Sequence, residues 1–278
     1  MKTLLWIFAL ILTLAAAVYQ RMTGPTYPLK TSVNTGVKSY SIQFLRSHST
    51  TTDCPVILEI SDITVKGTLS YRKYPTRDEM TKLDLKREGD KLVGYLPHQP
   101  PAGKLEYKVD LERNGSQLKL AANSPVVIRF TGDVPKIILG IHIFLMFLAM
   151  FFSNISGFLA LFKMSNYKNM AVVTFIVLIA GGFVLGPIVQ KYAFDHYWTG
   201  APFGWDLTDN KTLIAIVAWL VAIVMIRKKN ANIWIIAASL VTIIVFSIPH
   251  SLHGSQLNVE TGKIIQGNII PYIATFLN

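Results

Sequence analysis

Four of the six histidines in this chain, His142, His196, His250 and His253, fall in its apolar half, at the edges of hydrophobic runs. Neutral imidazole is the commonest metal ligand in proteins, so histidines drawn from separate segments mark a place where chemistry can happen. Two facing imidazoles, His142 with His250 or His253, would hold a haem b iron from both sides, and the thioether of Met146 is an alternative partner. A transition-metal ion such as zinc, copper or iron wants three or four ligands. His142, His196, His250 and His253, with Asp206 or Asp209, can supply them. The same side chains without a metal suit a membrane hydrolase or a proton-coupled site. A plainer use competes with all of these, in which each histidine is satisfied by one hydrogen bond to a neighbouring helix or by water. Covalently attached c-type haem is excluded, because the chain has one cysteine, Cys54, and no C-x-x-C-H.

Helical spacing sharpens the case for His142. Steps of three and four residues lead from it to Met146, Ala149, Ser153, Ser156 and Gly157, while Phe144, Phe147, Phe151 and Phe158 fall elsewhere. In lipid, small and polar faces pack against other helices, so this spacing predicts that His142 points into a bundle. On the last hydrophobic run the same walk gives Ser239, Thr242, Phe246, His250 and His253. The two histidines stack one turn apart if the helix persists through Pro249, and part if proline ends it.

The elements that must position these residues are membrane spans. "TLLWIFALILTLAAAVY" (3–19) follows Lys2 and has the shape of a signal anchor, with small residues at 15–17 that would also permit cleavage. Four more apolar runs, 137–162, 170–190, 212–226 and 233–248, approach the ~20 residues a bilayer needs. The links "KMSNYK" and "RKKNAN" carry five positive charges and no acid, which places them in the cytoplasm. The 191–211 link and everything from His250 then lie outside, as does the segment after the anchor. All four histidines fall at that outer end.

Between the second and third of these outer positions lies "HYWTGAPFGWDLTDNKT" (196–212). Its tyrosines and tryptophans suit the aromatic belt at a membrane surface. Gly200, Pro202 and Gly204 imply a tight path, as of a cap folded over the mouth of the bundle. Thr208 or Asp209 is placed to cap a helix starting near Lys211, leaving Asp206 for another role. Gly182 and Gly186 allow close helix approach, Pro187 kinks or ends the helix, and Asn154 reads as interhelical polar glue.

Charge is segregated. Residues 20–135 hold 17 Lys or Arg and 12 Asp or Glu, against 10 and 4 in the rest. The net charge of +11 does not imply nucleic acid, since the basic residues form no single stripe. Short β-branched runs recur through this polar part: "SYSIQFLRS", "CPVILEIS", "TVKGTLSYRKY", "TKLDLKRE", "KLVGYLP", "KLEYKVDLER", "SQLKLAA" and "PVVIRF". Turn signals separate them, Asn114-Gly115 above all. Such spacing predicts an immunoglobulin-like sandwich. "LPHQPPAGKLEYKV" (96–109) resembles the late strands of fibronectin-III and related domains, and the resemblance implies an inward Tyr107. It says nothing about function, and no hydrolase or nucleotide motif occurs.

The sequence therefore predicts a membrane α-helical bundle of four transmembrane helices plus an N-terminal anchor helix, with an inserted all-β immunoglobulin-like sandwich. The parts are an anchor at 1–20, a periplasmic sandwich at 21–135, the bundle at 136–250 and a periplasmic-side tail at 251–278. The expected setting is a cell inner membrane, with lipid and periplasmic or membrane proteins as partners. The expected function is haem or metal binding for electron transfer or redox work. The rival is a non-enzymatic scaffold or assembly factor whose sandwich binds partners.

Overall fold

A computed structural model of the chain describes residues 2–121, 125–250, 255–259, 261–262 and 264–265. His253 and the tail beyond 265 lie outside the described residues. The chain divides into a helical unit, Met1–Pro25 with Val134–Ser255, and a β unit, Thr26–Asp133 with Gln256–Ile265.

The helical unit contains α1 (Lys2–Thr23), α2 (Lys136–Leu161), α3 (Tyr167–Leu178), α4 (Gly186–Phe194), α5 (Leu207–Val224) and α6 (Ala231–Ser247). A π-helical stretch, Ile179–Leu185, joins α3 to α4 without a break, and a 3₁₀ turn, Met225–Arg227, extends α5. Lys2–Thr23, Lys136–Leu161, Tyr167–Phe194 and Leu207–Arg227 are each long and apolar enough to cross a membrane, while α6 is apolar but shorter. Their outward side chains, among them Phe144, Ile176, Val217 and Ile244, are large, apolar and exposed. Such a surface is costly in water and suited to lipid.

Helix α2 packs against α1, α3 and α6, and α5 packs against α3 and α6. Small and polar residues are prominent in the contacts, beside large apolar ones such as Leu178, Trp219, Ile235 and Phe246. On α2 the face formed by Ala149, Ser153, Ser156 and Gly157 is buried. Gly157 leaves the space that Ser239 of α6 occupies. Asn154 donates to Thr13 Oγ1 of α1 at 2.9 Å, and Trp219 of α5 donates to Thr242 Oγ1 of α6 at 2.8 Å.

The β unit holds several sheets around one core. In the largest, β3 (Ser47–Ser49), β11 (Val126–Thr131), β9 (Lys104–Arg113), β5 (Val65–Lys73) and β6 (Thr81–Asp84) follow in spatial order, with β10 (Ser116–Leu118) paired to β9. A second sheet runs β4 (Cys54–Glu59), β8 (Lys91–Leu96), β7 (Lys86–Glu88), and β1 (Leu29–Asn34) pairs with β2 (Ser39–Phe44). The alternating inward residues of β9, Leu105, Tyr107, Val109 and Leu111, meet Leu58, Leu69, Leu92 and Phe130 in a single cluster. Tyr107 is buried and its hydroxyl donates to the Leu45 carbonyl at 2.8 Å. Asn114 and Gly115 turn β9 into β10 with φ of 50° and 80°.

Two details depart from the sequence reading. "TKLDLKRE" is two strands, because the chain passes from one sheet to the other at Leu85. That side chain is buried in a space left by Gly67 and Gly94. Leu29–Asn34 is also a strand, and the short hairpin of β12 (Gln256–Leu257) with β13 (Ile264–Ile265) returns to the β unit, where Leu257 N–H donates to the Ala102 carbonyl at 3.1 Å.

Candidate functional site at the capped end of the helical unit

The cap is the 195–206 segment, and the first turn of α5 builds it. Asp206 begins α5 by accepting from the N–H groups of Thr208 and Asp209 at 2.8 and 3.3 Å. This corrects the expectation that Thr208 or Asp209 would cap a helix starting near Lys211. The helix starts at Leu207, and Asp206 is where an N-cap carboxylate must be. The other Asp206 oxygen accepts from the Ser255 N–H at 3.2 Å and faces its hydroxyl at 3.4 Å, so the same buried carboxylate holds the chain beyond α6.

Asp209, freed from capping, faces the loop. Its Oδ2 accepts from Thr199 N–H at 2.6 Å, from the Thr199 hydroxyl at 3.1 Å and from Gln190 of α4 at 3.1 Å. Asn210 accepts from Ala201 N–H at 2.8 Å. Gly200 is required here, because an added Cβ would come within 2.6 Å of the Asp209 Cβ. The Ala201-Pro202 peptide is cis, and Trp198 donates from its indole to the Ala201 carbonyl at 3.0 Å. The density of Gly, Pro and Asp in "TGAPFGWDLTDN" is thus accounted for by one compact, internally bonded cap.

Below the cap sits Lys211, buried to 2% relative exposure. Its ammonium donates to the Ile248 carbonyl at 2.6 Å, with the Pro249 carbonyl at 3.5 Å. Gln20 of α1 donates to the Phe246 and Ile248 carbonyls at 2.5 and 3.3 Å. The last carbonyls of a helix have no partners within it, and here side chains from two other helices serve them. Helix α6 ends at Ser247, ahead of Pro249, so the conditional stacking of His250 on a continued helix does not arise.

His142 lies part-buried on α2, with Nδ1 2.9 Å from the Gly181 carbonyl in the π-helical stretch. A carbonyl only accepts, so Nδ1 carries the proton, and in the neutral ring Nε2 carries the lone pair. Met146, one turn along, has its sulfur over Gly181 and Gly182: Cβ atoms there would lie 3.2 and 3.6 Å from it. The AGG sequence thus lets α2 approach closely. The protein atoms packed about His250, then the Lys211 and His142 charges, lower the imidazole pKa of His250, although its side chain keeps solvent-accessible surface.

His196 is exposed, with Nδ1 3.2 Å from the Phe194 carbonyl. Among the described residues, no three of His, Cys, Asp and Glu stand close enough together to hold a metal ion. The structure commits Asp206 and Asp209 to backbone N–H groups. Lys211, Gln20 and Gln190 were not singled out from the sequence. For Lys211 a signal existed: a lysine at the start of an apolar span is a functional candidate on the same ground as a histidine there. Comparison with protein-family models, with curated proteins and with solved structures gives no match for this chain.

Proposed function

We propose that this is an integral membrane protein of a cell inner membrane whose helical unit binds haem b or a transition-metal ion at its capped end, for electron transfer or redox work. The observation that carries the reading is the Nδ1 hydrogen bond from His142 to the Gly181 carbonyl. It fixes the ring and its tautomer and presents Nε2 as a ligand, as second-shell partners of metal-bound histidines do. His250 is the second ligand, and Met146 is the alternative. Asp206 and Asp209 serve the cap rather than the metal. By the positive-inside rule this end and the β unit face the periplasm, and the β unit, an immunoglobulin-like sandwich in this reading, docks a protein partner.

Absorption spectroscopy and metal analysis of protein purified from membranes test this. A Soret band, or a stoichiometric metal, that is lost in His142→Ala and His250→Ala but kept in His196→Ala supports it. A colourless, metal-free protein from a haem-replete and metal-replete host refutes it.

One observation favours a scaffold or assembly factor instead. Asp206, Asp209, Lys211 and Gln20 are all engaged with backbone groups, which is what a purely architectural cluster requires. On that reading the histidine variants keep full stability and full partner binding.

A further inference from the structure

We propose that the β unit binds a small carboxylate with a short aliphatic stem, in the cavity between the turn before β9 and the β12–β13 hairpin. The cavity measures about 100 Å³ and is lined by Lys73, Gln99, Gly103, Lys104, Leu257 and Val259, among others. That is smaller than the ~150 Å³ cavity that accommodates benzene, so it suits a group of four or five heavy atoms.

Its charge is one-sided. Two lysines line it, and no Asp or Glu among the described residues does. Four other cations of this unit pair with acids: Arg72 with Glu106, Lys91 with Glu59, Lys108 with Asp110 and Arg113 with Asp62. Lys73 and Lys104 make no ion pair with a described residue. Lys104 donates to Gln256 Oε1 at 3.1 Å, which leaves it two further N–H donors. Arg129, buried, lies directly opposite Lys104 in the β11–β9 register. Burial, and then the Arg129 charge, push the Lys104 ammonium down to about 8.

The two ammonium groups that line this partly enclosed space, Lys73 and Lys104, repel each other unless an anion lies between them. The hairpin adds the apolar side chains Leu257 and Val259 to the lining. A bare inorganic anion gains nothing from those apolar side chains. A carboxylate carrying one or two methylenes uses both kinds of lining.

Titration of the full-length protein in detergent, with its lysines reductively ¹³C-methylated, tests the assignment at constant ionic strength against chloride. The probes are propionate, acetate and inorganic phosphate. Propionate is expected to shift the Lys104 resonance saturably and to raise its pKa, more strongly than acetate and without an equal effect from phosphate. Lys104→Gln and Lys73→Gln are each expected to weaken propionate binding about tenfold or more, and Lys91→Gln to leave it unchanged. Lys73 and Lys91 are exposed, so neither substitution threatens folding. No saturable shift with any probe overturns the site. Phosphate binding more tightly than propionate overturns the carboxylate assignment, and wild-type affinity in Lys73→Gln overturns the role of that residue.

Discussion

Replacing Asp209 with alanine removes at one stroke the acceptor for Thr199 N–H, the Thr199 hydroxyl and Gln190. The hydroxyl and the carboxamide can re-aim. The Thr199 amide cannot, because Thr199 and Gly200 are buried and their backbone is fixed by the turn. Hydrogen bonds to charged acceptors contribute ~1.5–3 kcal/mol each, and a buried donor left unpaired costs its desolvation as well. With Asp209 itself 6% exposed, solvent does not make good the loss. The cap should lose about 3–5 kcal/mol of local stability, one charge-assisted hydrogen bond together with the desolvation of the orphaned Thr199 amide. In hydrogen-exchange terms that is an increase of more than about a hundredfold in the opening equilibrium. Mass spectrometry on protein in nanodiscs should show the 195–206 peptide exchanging faster by that factor, while β9 peptides hold their wild-type rate. Asp209→Asn, whose amide oxygen still accepts from Thr199 N–H, should fall between. If the cap peptide of Asp209→Ala exchanges at the wild-type rate, the carboxylate does not hold the cap, and the account given for this loop is wrong.

Gly94→Ala should destabilise the β unit by about 1–3 kcal/mol through overpacking, since its Cβ would stand 2.5 Å from Leu85 Cδ2 and 3.2 Å from Leu69 Cδ2. Leu85→Ala should cost about 2–5 kcal/mol, and the double variant less than the sum, which a double-mutant cycle in denaturant measures. Lys104 binds its proton less tightly when folded, so it costs stability below its folded pKa of about 8, and that cost fades as pH rises toward its ordinary value of 10.5. Cys54, raised by burial from 9.0 to about 11, works the other way, its contribution being lost above pH 9. The stability gain of Lys104→Met over wild type, rather than the wild-type profile, should therefore shrink from pH ~7 to ~10. Because Thr13 binds Asn154 inside the helical unit, intact-mass measurement should find α1 retained in the membrane-purified protein, and loss of 1–17 from the mature chain would refute its place in the bundle.

Elements with strong periodicity were legible from residue types alone. Each of the eight quoted β runs contains a strand, and the apolar runs are helices to within a few residues, except where α5 begins. There the sequence shows two carboxylates three apart and a lysine. Which carboxylate caps the helix depends on where the chain enters it, and that is fixed by Gly200 packing on Asp209, a tertiary contact. Leu29–Asn34 was missed because LKTSVN offers only two apolar residues, and its pairing comes from β2. The Leu85 crossover was missed because a strand that changes sheets keeps its alternation throughout. His142's tie to Gly181 depends on a π-helical stretch with no sequence mark beyond its glycines.

The shortness of α6 bears on how the protein assembles. Seventeen residues span roughly 26 Å at ~1.5 Å per residue, against a hydrocarbon thickness of ~30 Å. Alone in a bilayer, its terminal carbonyls would sit where neither water nor headgroups reach them, a penalty of several kcal/mol per group. Gln20 and Lys211 relieve that mismatch only when α1 and α5 are already in place. A helix of this length would not lie stably across a bilayer by itself, so a place for α6 in one would depend on α1 and α5.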